Sequence, residues 1–292
     1  MSTFREIRAD YLSDLSVHYD DQEALTIFQI IVQECTAMSR IELLSALDQA
    51  CTPTIHAELK HYLHELSSGK PLQYVLGKAP FFGLELRVNE HTLIPRPETE
   101  ELIAHILEAP REATAPDIID IGTGSGCIAL ALKKNWLEAS VSAVDISSEA
   151  IRIAEQNAAR YQLDVNFRCV DILEWPYTFS DQLYDIVVSN PPYITRAEME
   201  TMKPHVLLHE PHSALFVENE VPLLFYDYIS SFAQSHLRPD GTLYFEINQH
   251  FSVETKDMLH KKGFKDVVIF YDINGVPRHL RARMAQRNDA RI

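Results

Sequence analysis

The sequence predicts an α/β protein built on a mostly parallel β-sheet with helices on both faces. From residue 117 onward, short apolar runs alternate with segments of helical periodicity, as in repeated strand–helix units. A glycine-rich turn follows the first run, and single acidic residues end the next two. Because connections in such units are right-handed, we expect ligands to bind at the carboxyl ends of the early strands. The predicted strands are 118–121, 141–146, 165–170, 184–189, 242–247, 267–270 and 278–283, with helices at 128–134, 149–161, 223–236 and 253–262.

A small helical bundle is predicted ahead of the sheet, because apolar residues recur at helical spacing from about residue 21 to residue 67. Ser39 with Glu42 forms a capping box, and Thr52 precedes a proline suited to a first helical turn. The period then changes to the alternation of a β-hairpin, with Phe82 in its first strand and residues 92–94 in its second. We therefore divide the chain into a helical domain (1–78), a hairpin linker (79–97) and the sheet domain (98–292).

Composition narrows the functional classes. The chain has 292 residues and a formal charge of −16, which opposes tight contact with the phosphate backbone of nucleic acids. No apolar run reaches the roughly 18 residues that a membrane span needs, and the first ten residues lack the apolar region of a signal peptide, so we expect a cytoplasmic protein. The four cysteines lie far apart, without metal-ligand pairs, and no metal site is predicted.

The glycine-rich turn runs from Asp120 to Gly126, between the first strand and a helix. Glycines at this point let a ligand approach the bare backbone. The spacing is G-x-G-x-G from Gly122, whereas a dinucleotide fingerprint would place its third glycine where Cys127 stands. A P-loop is excluded because Lys133 comes too late for its lysine. The turn therefore predicts a ligand without a phosphate clamp.

Two acidic residues extend this prediction. Asp145 ends the second strand, at the position where an acid accepts hydrogen bonds from ribose hydroxyls in such folds. Asp171 ends the third strand, where a carboxylate can accept from an exocyclic amine. Either acid alone would be an ordinary solvated strand end. Together with the glycine turn, they predict a nucleoside site.

The stretch Asn190-Pro191-Pro192-Tyr193 follows the fourth strand. The Asn190 carboxamide can accept from an N–H, the prolines leave carbonyls free because they have no N–H, and Tyr193 offers a ring for stacking. The stretch is either a grip for a planar nitrogen group or only a stiff loop after a strand.

These motifs resemble known sites. The glycine turn, Asp145 and Asp171 resemble the S-adenosylmethionine site of class I methyltransferases, and N-P-P-Y resembles the signature of enzymes that methylate planar amide or amino nitrogens, which leaves adenine, cytosine and glutamine as targets. With the flanking segments, the chain from about residue 55 onward resembles the bacterial peptide chain release factor N5-glutamine methyltransferases, the PrmC (HemK) family. Those segments are 71–74, 93–100, Glu210-Pro211 with Ala214-Leu215, and Asp272 with Gly275 and Arg278.

The resemblance implies a Rossmann-like class I fold with a seven-stranded sheet, and transfer of a methyl group from S-adenosylmethionine to the glutamine of the Gly-Gly-Gln motif in release factors. It implies that Asn190, Pro191 and Tyr193 are catalytic and that these three residues with Pro192 bind the substrate. It also implies a monomer whose helical domain docks the release factor, without nucleic-acid or membrane partners. The implied cofactor-binding residues are Gly122, Thr123, Gly124, Ser125, Gly126, Asp145, Asp171, Ile172 and Asn190.

Two alternatives stay open at this point. A DNA or RNA amino-methyltransferase would use the same grip on a flipped adenine or cytosine, although the charge of −16 counts against it. A non-catalytic cofactor-binding module would need the same nucleoside site. One position departs from the family: Asn248 follows Glu246-Ile247 where glycine is usual, and we expect Asn248 to adopt the left-handed backbone angles that asparagine tolerates.

Overall fold

The computed structural model describes residues 2–110, 113–202 and 204–284. The chain forms two compact units, one of Met1–Gly77 with Lys203–His209 and the other of Lys78–Met202 with Glu210–Ile292. In the described ranges, no helix is both long enough and apolar enough to cross a membrane.

The smaller unit is helical. It contains α1 (Phe4–Leu15), α2 (Asp21–Thr36), α3 (Arg40–Ala46), α4 (Pro53–Ser67) and α5 (Leu72–Leu76), together with a short helix at Pro204–His209. The predicted Ser39–Glu42 capping box is present at the start of α3. Helix α1 was not predicted, although Thr3 and Glu6 form a capping box and Phe4, Ile7, Tyr11 and Leu15 make a buried stripe at helical spacing.

The larger unit begins with a β-hairpin whose strands differ from those predicted. Strand β1 (Lys78–Phe81) pairs antiparallel with β2 (Leu84–Arg87). The turn lies at Phe82 and Gly83, both with positive φ (45° and 72°), as a two-residue hairpin turn requires. Phe82 was therefore wrongly placed in a strand, and residues 92–94 form no strand. The cause is that the alternation of Phe82 with Leu84 continues through a turn.

The remaining elements include the predicted alternation of strands and helices, together with short strands and helices between residues 175 and 217 that were not predicted. In chain order they are α6 (Pro97–Glu108), β3 (Asp117–Ile121), α7 (Cys127–Asn135), β4 (Ser140–Asp145), α8 (Ser148–Tyr161), β5 (Val165–Cys169), α9 (Trp175–Thr178), β6 (Tyr184–Ser189), β7 (Ile194–Thr195), α10 (Pro204–His209), α11 (His212–Leu215), β8 (Phe216–Val217), α12 (Leu224–His236), β9 (Leu237–Glu246), α13 (Ser252–Lys261), β10 (Lys265–Tyr271) and β11 (Pro277–Arg283). Helix α10 is the segment that belongs to the smaller unit.

Seven of these strands form one sheet in the described part of the larger unit, in the order β10-β11-β9-β6-β3-β4-β5. Strands β5, β4, β3, β6 and β9 run parallel, and β11 is antiparallel to both of its neighbours. Neighbouring residues of one strand enter different cores: Val188 packs with α6, α7 and the hairpin, while Val187 packs with α12 and α13. The predicted mostly parallel sheet with helices on both faces is therefore confirmed.

Candidate active site

A cavity of about 300 Å³ lies at the carboxyl ends of β3, β4 and β6. It brings together most of the predicted site residues, from four separate segments. The predicted residues that line it are Gly122, Gly124, Asp145, Asp171, Ile172, Asn190, Pro191 and Pro192. A larger hollow of about 460 Å³ contains Asp185 and Thr242 near the other ends of the strands and none of the predicted site residues.

The glycine turn leaves bare backbone at the cavity. Gly122 and Gly124 have φ of 76° and 55°, and the Gly122 and Thr123 N–H groups both donate to the Val144 carbonyl of the neighbouring strand, at 2.8 and 3.0 Å. A Cβ on Gly124 would meet no atom within 4 Å, and one on Gly122 would meet only the Asn190 carbonyl at 3.9 Å. Side chains at these positions would therefore occupy the space that the turn keeps open for a ligand.

Gly126 has a different role, because it does not line the cavity as the structure describes it. A Cβ there would lie 3.1 Å from Ala154 Cβ and 3.2 Å from a Leu130 methyl group. Its φ of 83° is also one that L-residues rarely adopt. Gly126 thus permits the close packing of α7 on α8 that holds the turn in place.

Asp120 supports the turn from below. It is fully buried, and its Oδ2 accepts from the Thr123 hydroxyl at 2.6 Å and from the Ala129 N–H at 3.2 Å. Burial raises the pKa of Asp120 to about 7, against the lowering effect of these hydrogen bonds. Asp120 Oδ1 and Ser125 Oγ are buried without a hydrogen-bond partner among the described residues. Thr123 and Ser125 lie behind the turn, outside the lining of the cavity.

Asp145 and Asp171 both reach the cavity, and backbone groups orient each carboxylate. Asp145 accepts from the Gly124 N–H at 2.8 Å and from the Ser147 N–H at 2.9 Å. Burial raises the pKa of Asp145, while these two hydrogen bonds act in the opposite direction. Asp171 accepts from the Leu173 N–H at 2.9 Å. A carboxylate has about four acceptor positions, so both acids keep capacity for ligand donors.

The Asn190 loop faces the same cavity from the end of β6. Ser189 fixes the strand end, because its hydroxyl donates to the Ile121 carbonyl of β3 at 2.6 Å. The Asn190 side-chain Nδ2 donates to the Thr99 hydroxyl oxygen at 3.3 Å. Pro191 and Pro192 line the cavity and bring no N–H to it. The loop therefore presents acceptors.

Tyr193 does not line this cavity as described. Its hydroxyl donates to Glu246 Oε1 at 3.0 Å, and the Thr99 hydroxyl donates to Glu246 Oε2 at 2.7 Å. Glu246 is buried, which raises the pKa of its carboxyl although both hydroxyls oppose the rise. Sequence reasoning missed Thr99 and Glu246 as site residues, because 147 positions separate them and no local motif joins them.

The backbone of Asn248 differs from the prediction. Its φ is −67°, so the left-handed turn predicted for this position does not occur. Instead, its side chain caps a short helical turn by accepting from the His250 N–H at 2.8 Å. Its Nδ2 donates to the Tyr193 carbonyl at 2.9 Å and to Glu198 Oε2 at 3.0 Å. Asn248 thus fixes the backbone of the loop that carries N-P-P-Y.

Glu210, a buried acid, links two segments that contribute residues to the cavity wall. Glu210 accepts from the Ile94 N–H at 3.1 Å and pairs with Arg96 at 2.5 Å, and its side chain is 1% exposed. The segment before Arg96 supplies His91 and Leu93 to the cavity, and the segment after Glu210 supplies Pro211 and Ser213. These stretches carried the family resemblance, although no site role was predicted for them.

The residues fit the predicted cofactor. Gly122 and Gly124 give open space, Asp145 and Asp171 give oriented carboxylates, and apolar side chains such as Ile172 and Val144 complete the walls. Small-molecule sites combine a mainly apolar lining with a few placed polar groups in this way.

Comparison with known proteins decides the family. The methyltransferase small domain matches residues 98–272, and the PrmC N-terminal domain matches residues 6–77. The release factor glutamine methyltransferase of Flavobacterium psychrophilum is 39% identical, over 95% of this chain and 98% of that protein. This chain belongs to the release factor glutamine methyltransferases. Those of Bacteroides thetaiotaomicron and Bacillus subtilis are 38% and 36% identical over 90% and 92% of this chain, and 94% and 93% of their own lengths.

Solved structures confirm the class I methyltransferase fold of this family member. A methyltransferase from Pyrococcus furiosus aligns with a TM-score of 0.52 and 17% identity, over 70% of this chain and 90% of that one. The catalytic domain of hMettl16, in complex with a 3′UTR hairpin, aligns with a TM-score of 0.56 and 18% identity, over 76% of this chain and 81% of that one. The match to the methyltransferase domain and to the release factor glutamine methyltransferases confirms S-adenosylmethionine as the cofactor.

Proposed function

We propose that this enzyme transfers a methyl group from S-adenosylmethionine to the side-chain amide nitrogen of a glutamine in peptide chain release factors, within their Gly-Gly-Gln motif. The observation that supports it most is the position of Asn190, which lines the same cavity as Gly122 and Gly124. The relatives of this chain that have a similar length are named release factor glutamine methyltransferases.

The chemical difficulty is the weak nucleophilicity of an amide. Its nitrogen lone pair is delocalised, and the rotation barrier of roughly 18–20 kcal/mol in a peptide bond shows how strong this conjugation is. The cofactor supplies an electrophilic methyl group on a positively charged sulfur. Holding the nitrogen in line with that methyl group can contribute on the order of 7–11 kcal/mol through orientation. The task of the protein is therefore mainly to position the amide.

Asn190 and Pro191 carry out this positioning. The Asn190 Oδ1 accepts one amide N–H and the Pro191 carbonyl accepts the other, which directs the nitrogen lone pair towards the methyl group. Both acceptors stabilise the positive charge that develops on nitrogen as the bond forms, before the proton leaves. Pro192 stiffens the loop. Tyr193 contributes through Glu246, to which its hydroxyl donates.

The cofactor is held by the other half of the cavity. Asp145 would accept from the ribose hydroxyls, and Asp171 would accept from the exocyclic amine of adenine. Ile172 would pack against the base, and the backbone of Gly122 and Gly124 would allow the close approach of the ligand. Thr123, Ser125 and Gly126 keep the turn in shape from behind.

The predicted helical domain (1–78), which supplies most of the smaller unit, is proposed to dock the release factor outside its Gly-Gly-Gln loop. Helix α3 exposes Ile41 and Leu44 on one face, 76% and 53% exposed. Because Lys203–His209 belongs to the same unit, deleting the N-terminal residues would remove the packing partners of that segment. The double variant Ile41→Glu, Leu44→Glu is a cleaner test: KM for intact release factor rises, while KM for a short Gly-Gly-Gln peptide stays unchanged. An unchanged KM for the intact protein would remove α3 from docking.

The direct test uses S-adenosylmethionine labelled in its methyl group. Purified enzyme is incubated in parallel with a release factor, with the same factor carrying Ala for the motif glutamine, and with DNA and RNA. We expect label only in the unaltered release factor. Label in nucleic acid would instead support the amino-methyltransferase alternative. We also propose that the enzyme acts in the cytoplasm and as a monomer.

A further inference from the structure

Building on the proposed function, we propose that Thr99 and Glu246 are positioning residues that determine which end of the Asn190 carboxamide faces the substrate. A carboxamide accepts at Oδ1 and donates at Nδ2, and the two ends have nearly the same shape. Only the Oδ1 end can accept an N–H from glutamine. Methyl transfer therefore requires a device that prevents Asn190 from turning by 180°.

The direction of the hydrogen bonds provides this device. Both Glu246 oxygens act as acceptors, Oε2 for the Thr99 hydroxyl and Oε1 for the Tyr193 hydroxyl. The Thr99 hydroxyl has a single proton and gives it to Glu246 at 2.7 Å. Its oxygen can then only accept from Asn190, which lies 3.3 Å away. Nδ2 must face Thr99, and Oδ1 is left for the cavity.

The burial of the network keeps it intact. Thr99 and Glu246 are 2% and 4% exposed, so water does not compete readily for these hydrogen bonds. Tyr193 fills the second Glu246 oxygen at 3.0 Å, and the Tyr226 hydroxyl donates to the Glu246 backbone carbonyl at 3.2 Å. Glu246 is thus fixed in place as the final acceptor for two hydroxyl groups.

Two variants disrupt these hydrogen bonds while nearly keeping the shape of the side chain. Thr99→Val keeps the volume but removes the acceptor for Asn190 Nδ2. Glu246→Gln replaces one acceptor by an NH₂ group. Where that group donates to the Thr99 oxygen, the Thr99 proton points towards Asn190. Asn190 then turns by 180° so that Oδ1 accepts this proton and Nδ2 faces the substrate. The inverted form presents a donor to the substrate N–H, and two donors repel each other.

Kinetics on a release factor give the first readout. We expect Thr99→Val and Glu246→Gln to lower kcat roughly tenfold to a hundredfold, the range of a lost preorganised hydrogen bond, with Kd for S-adenosylmethionine within about threefold of wild type. Thr99→Ser keeps the hydroxyl, so its kcat should stay within about threefold of wild type. An unchanged kcat in Thr99→Val would overturn the proposal.

A matched control separates positioning from stability. Thr255 is also fully buried, and its hydroxyl donates to the Phe251 carbonyl at 2.8 Å, in α13. Thr255→Val therefore removes a comparable buried hydroxyl outside the site. A purely structural role for Thr99 would make both valine variants lose activity only in proportion to their folded fractions. We expect kcat per folded molecule to fall in Thr99→Val alone.

A second readout does not depend on the substrate. In the NMR spectrum of protein labelled with ¹⁵N at asparagine, the signals of the Asn190 side-chain NH₂ group are assigned as those that disappear in Asn190→Asp. Their hydrogen exchange should accelerate at least about tenfold in Thr99→Val and remain unchanged in Thr255→Val. If wild type methylates no release factor, the proposed function fails, yet this exchange still decides the positioning claim. Equal exchange in wild type and Thr99→Val would refute it.

Discussion

One buried acid supports each half of the cavity, Asp120 the cofactor half and Glu246 the substrate half. The two acids differ in how their oxygens accept hydrogen bonds. Asp120, under the cofactor half, receives both of its donors on one oxygen, and its other oxygen has no partner in the described ranges. Glu246, under the substrate half, receives one hydroxyl on each oxygen. The first acid holds the shape of a backbone turn, whereas the second orients a side chain.

This difference explains why the halves should respond differently to substitution. The cofactor half presents mainly backbone from Gly122 and Gly124 and two carboxylates, so its changes alter binding. The substrate half presents acceptors whose direction depends on hydroxyl protons, so its changes alter turnover. Substitutions in each half test this separation, and we expect the largest effect in the substrate half.

The largest effect is expected for Asn190→Ala. It removes one of the two acceptors for the substrate amide, together with the positioning that they share, so kcat should fall by about three orders of magnitude. Kd for S-adenosylmethionine, measured by calorimetry, should stay within about threefold of wild type. Equal losses in kcat and in cofactor affinity would show that Asn190 mainly builds the cofactor pocket, and the separation of the halves would fail.

A pH-dependent effect is expected from Asp120, whose folded-state pKa of about 7 lies above its ordinary value of 3.8. Between these values the folded chain holds a proton that the unfolded chain has released. This stabilising difference is fully present below pH 4 and is lost as the pH rises through 7. Relative to Asp120→Asn, wild type should therefore gain on the order of 2–3 kcal/mol of unfolding free energy from pH 8 to pH 5.

Urea unfolding of the two proteins at several pH values measures this gain. Asn at position 120 does not titrate, so the comparison isolates one carboxyl from the remaining acids of the chain. Parallel stability curves for wild type and Asp120→Asn would contradict the raised pKa.

Asp145→Ala should weaken cofactor binding. The carboxylate is held by the Gly124 and Ser147 N–H groups, and hydrogen bonds to a charged acceptor contribute about 1.5–3 kcal/mol. Kd for S-adenosylmethionine should rise roughly tenfold to a hundredfold, while kcat at saturating cofactor changes little. A Kd equal to that of wild type would remove Asp145 from the ribose role.

The smallest effect is expected for Asn248→Gly, which introduces the residue usual in the family. It removes a cap on His250 and the donor to the Tyr193 carbonyl, so the unfolding free energy should fall by about 1 kcal/mol. Thermal unfolding should show a drop of a few degrees in Tm. A higher Tm in the glycine variant would show that the Asn248 contacts do not stabilise the loop.

The sequence predicts those parts of the fold and site that depend on local patterns. The sheet strands could be placed because β3 and β6 each contain a run of apolar residues, and most of their positions are buried. The glycine turn, Asp145 and Asp171 could be placed because each lies at or just after the carboxyl end of a strand, and these ends share one edge of a parallel sheet.

Features that depend on distant partners could not be predicted. The positive φ of Phe82 is invisible in a stretch that continues to alternate, so the hairpin turn was misplaced. The hydrogen bond from the Tyr193 hydroxyl to Glu246 joins residues 53 positions apart, and no local pattern indicates it. The contact of the Tyr193 ring with the substrate stays a prediction. Thr99 reads in sequence as an ordinary first-turn residue of α6, and only the folded chain brings it between Asn190 and Glu246.

The central claim is that the Asn190 loop holds a release factor glutamine against the cofactor cavity. The most direct measurement is mass spectrometry of release factor peptides after reaction with S-adenosylmethionine that carries a deuterated methyl group. The predicted result is one deuterated methyl on the side-chain amide of the Gly-Gly-Gln glutamine with wild-type enzyme, and none above background with Asn190→Ala. A methyl group on another residue, or equal labelling by Asn190→Ala, would contradict the account.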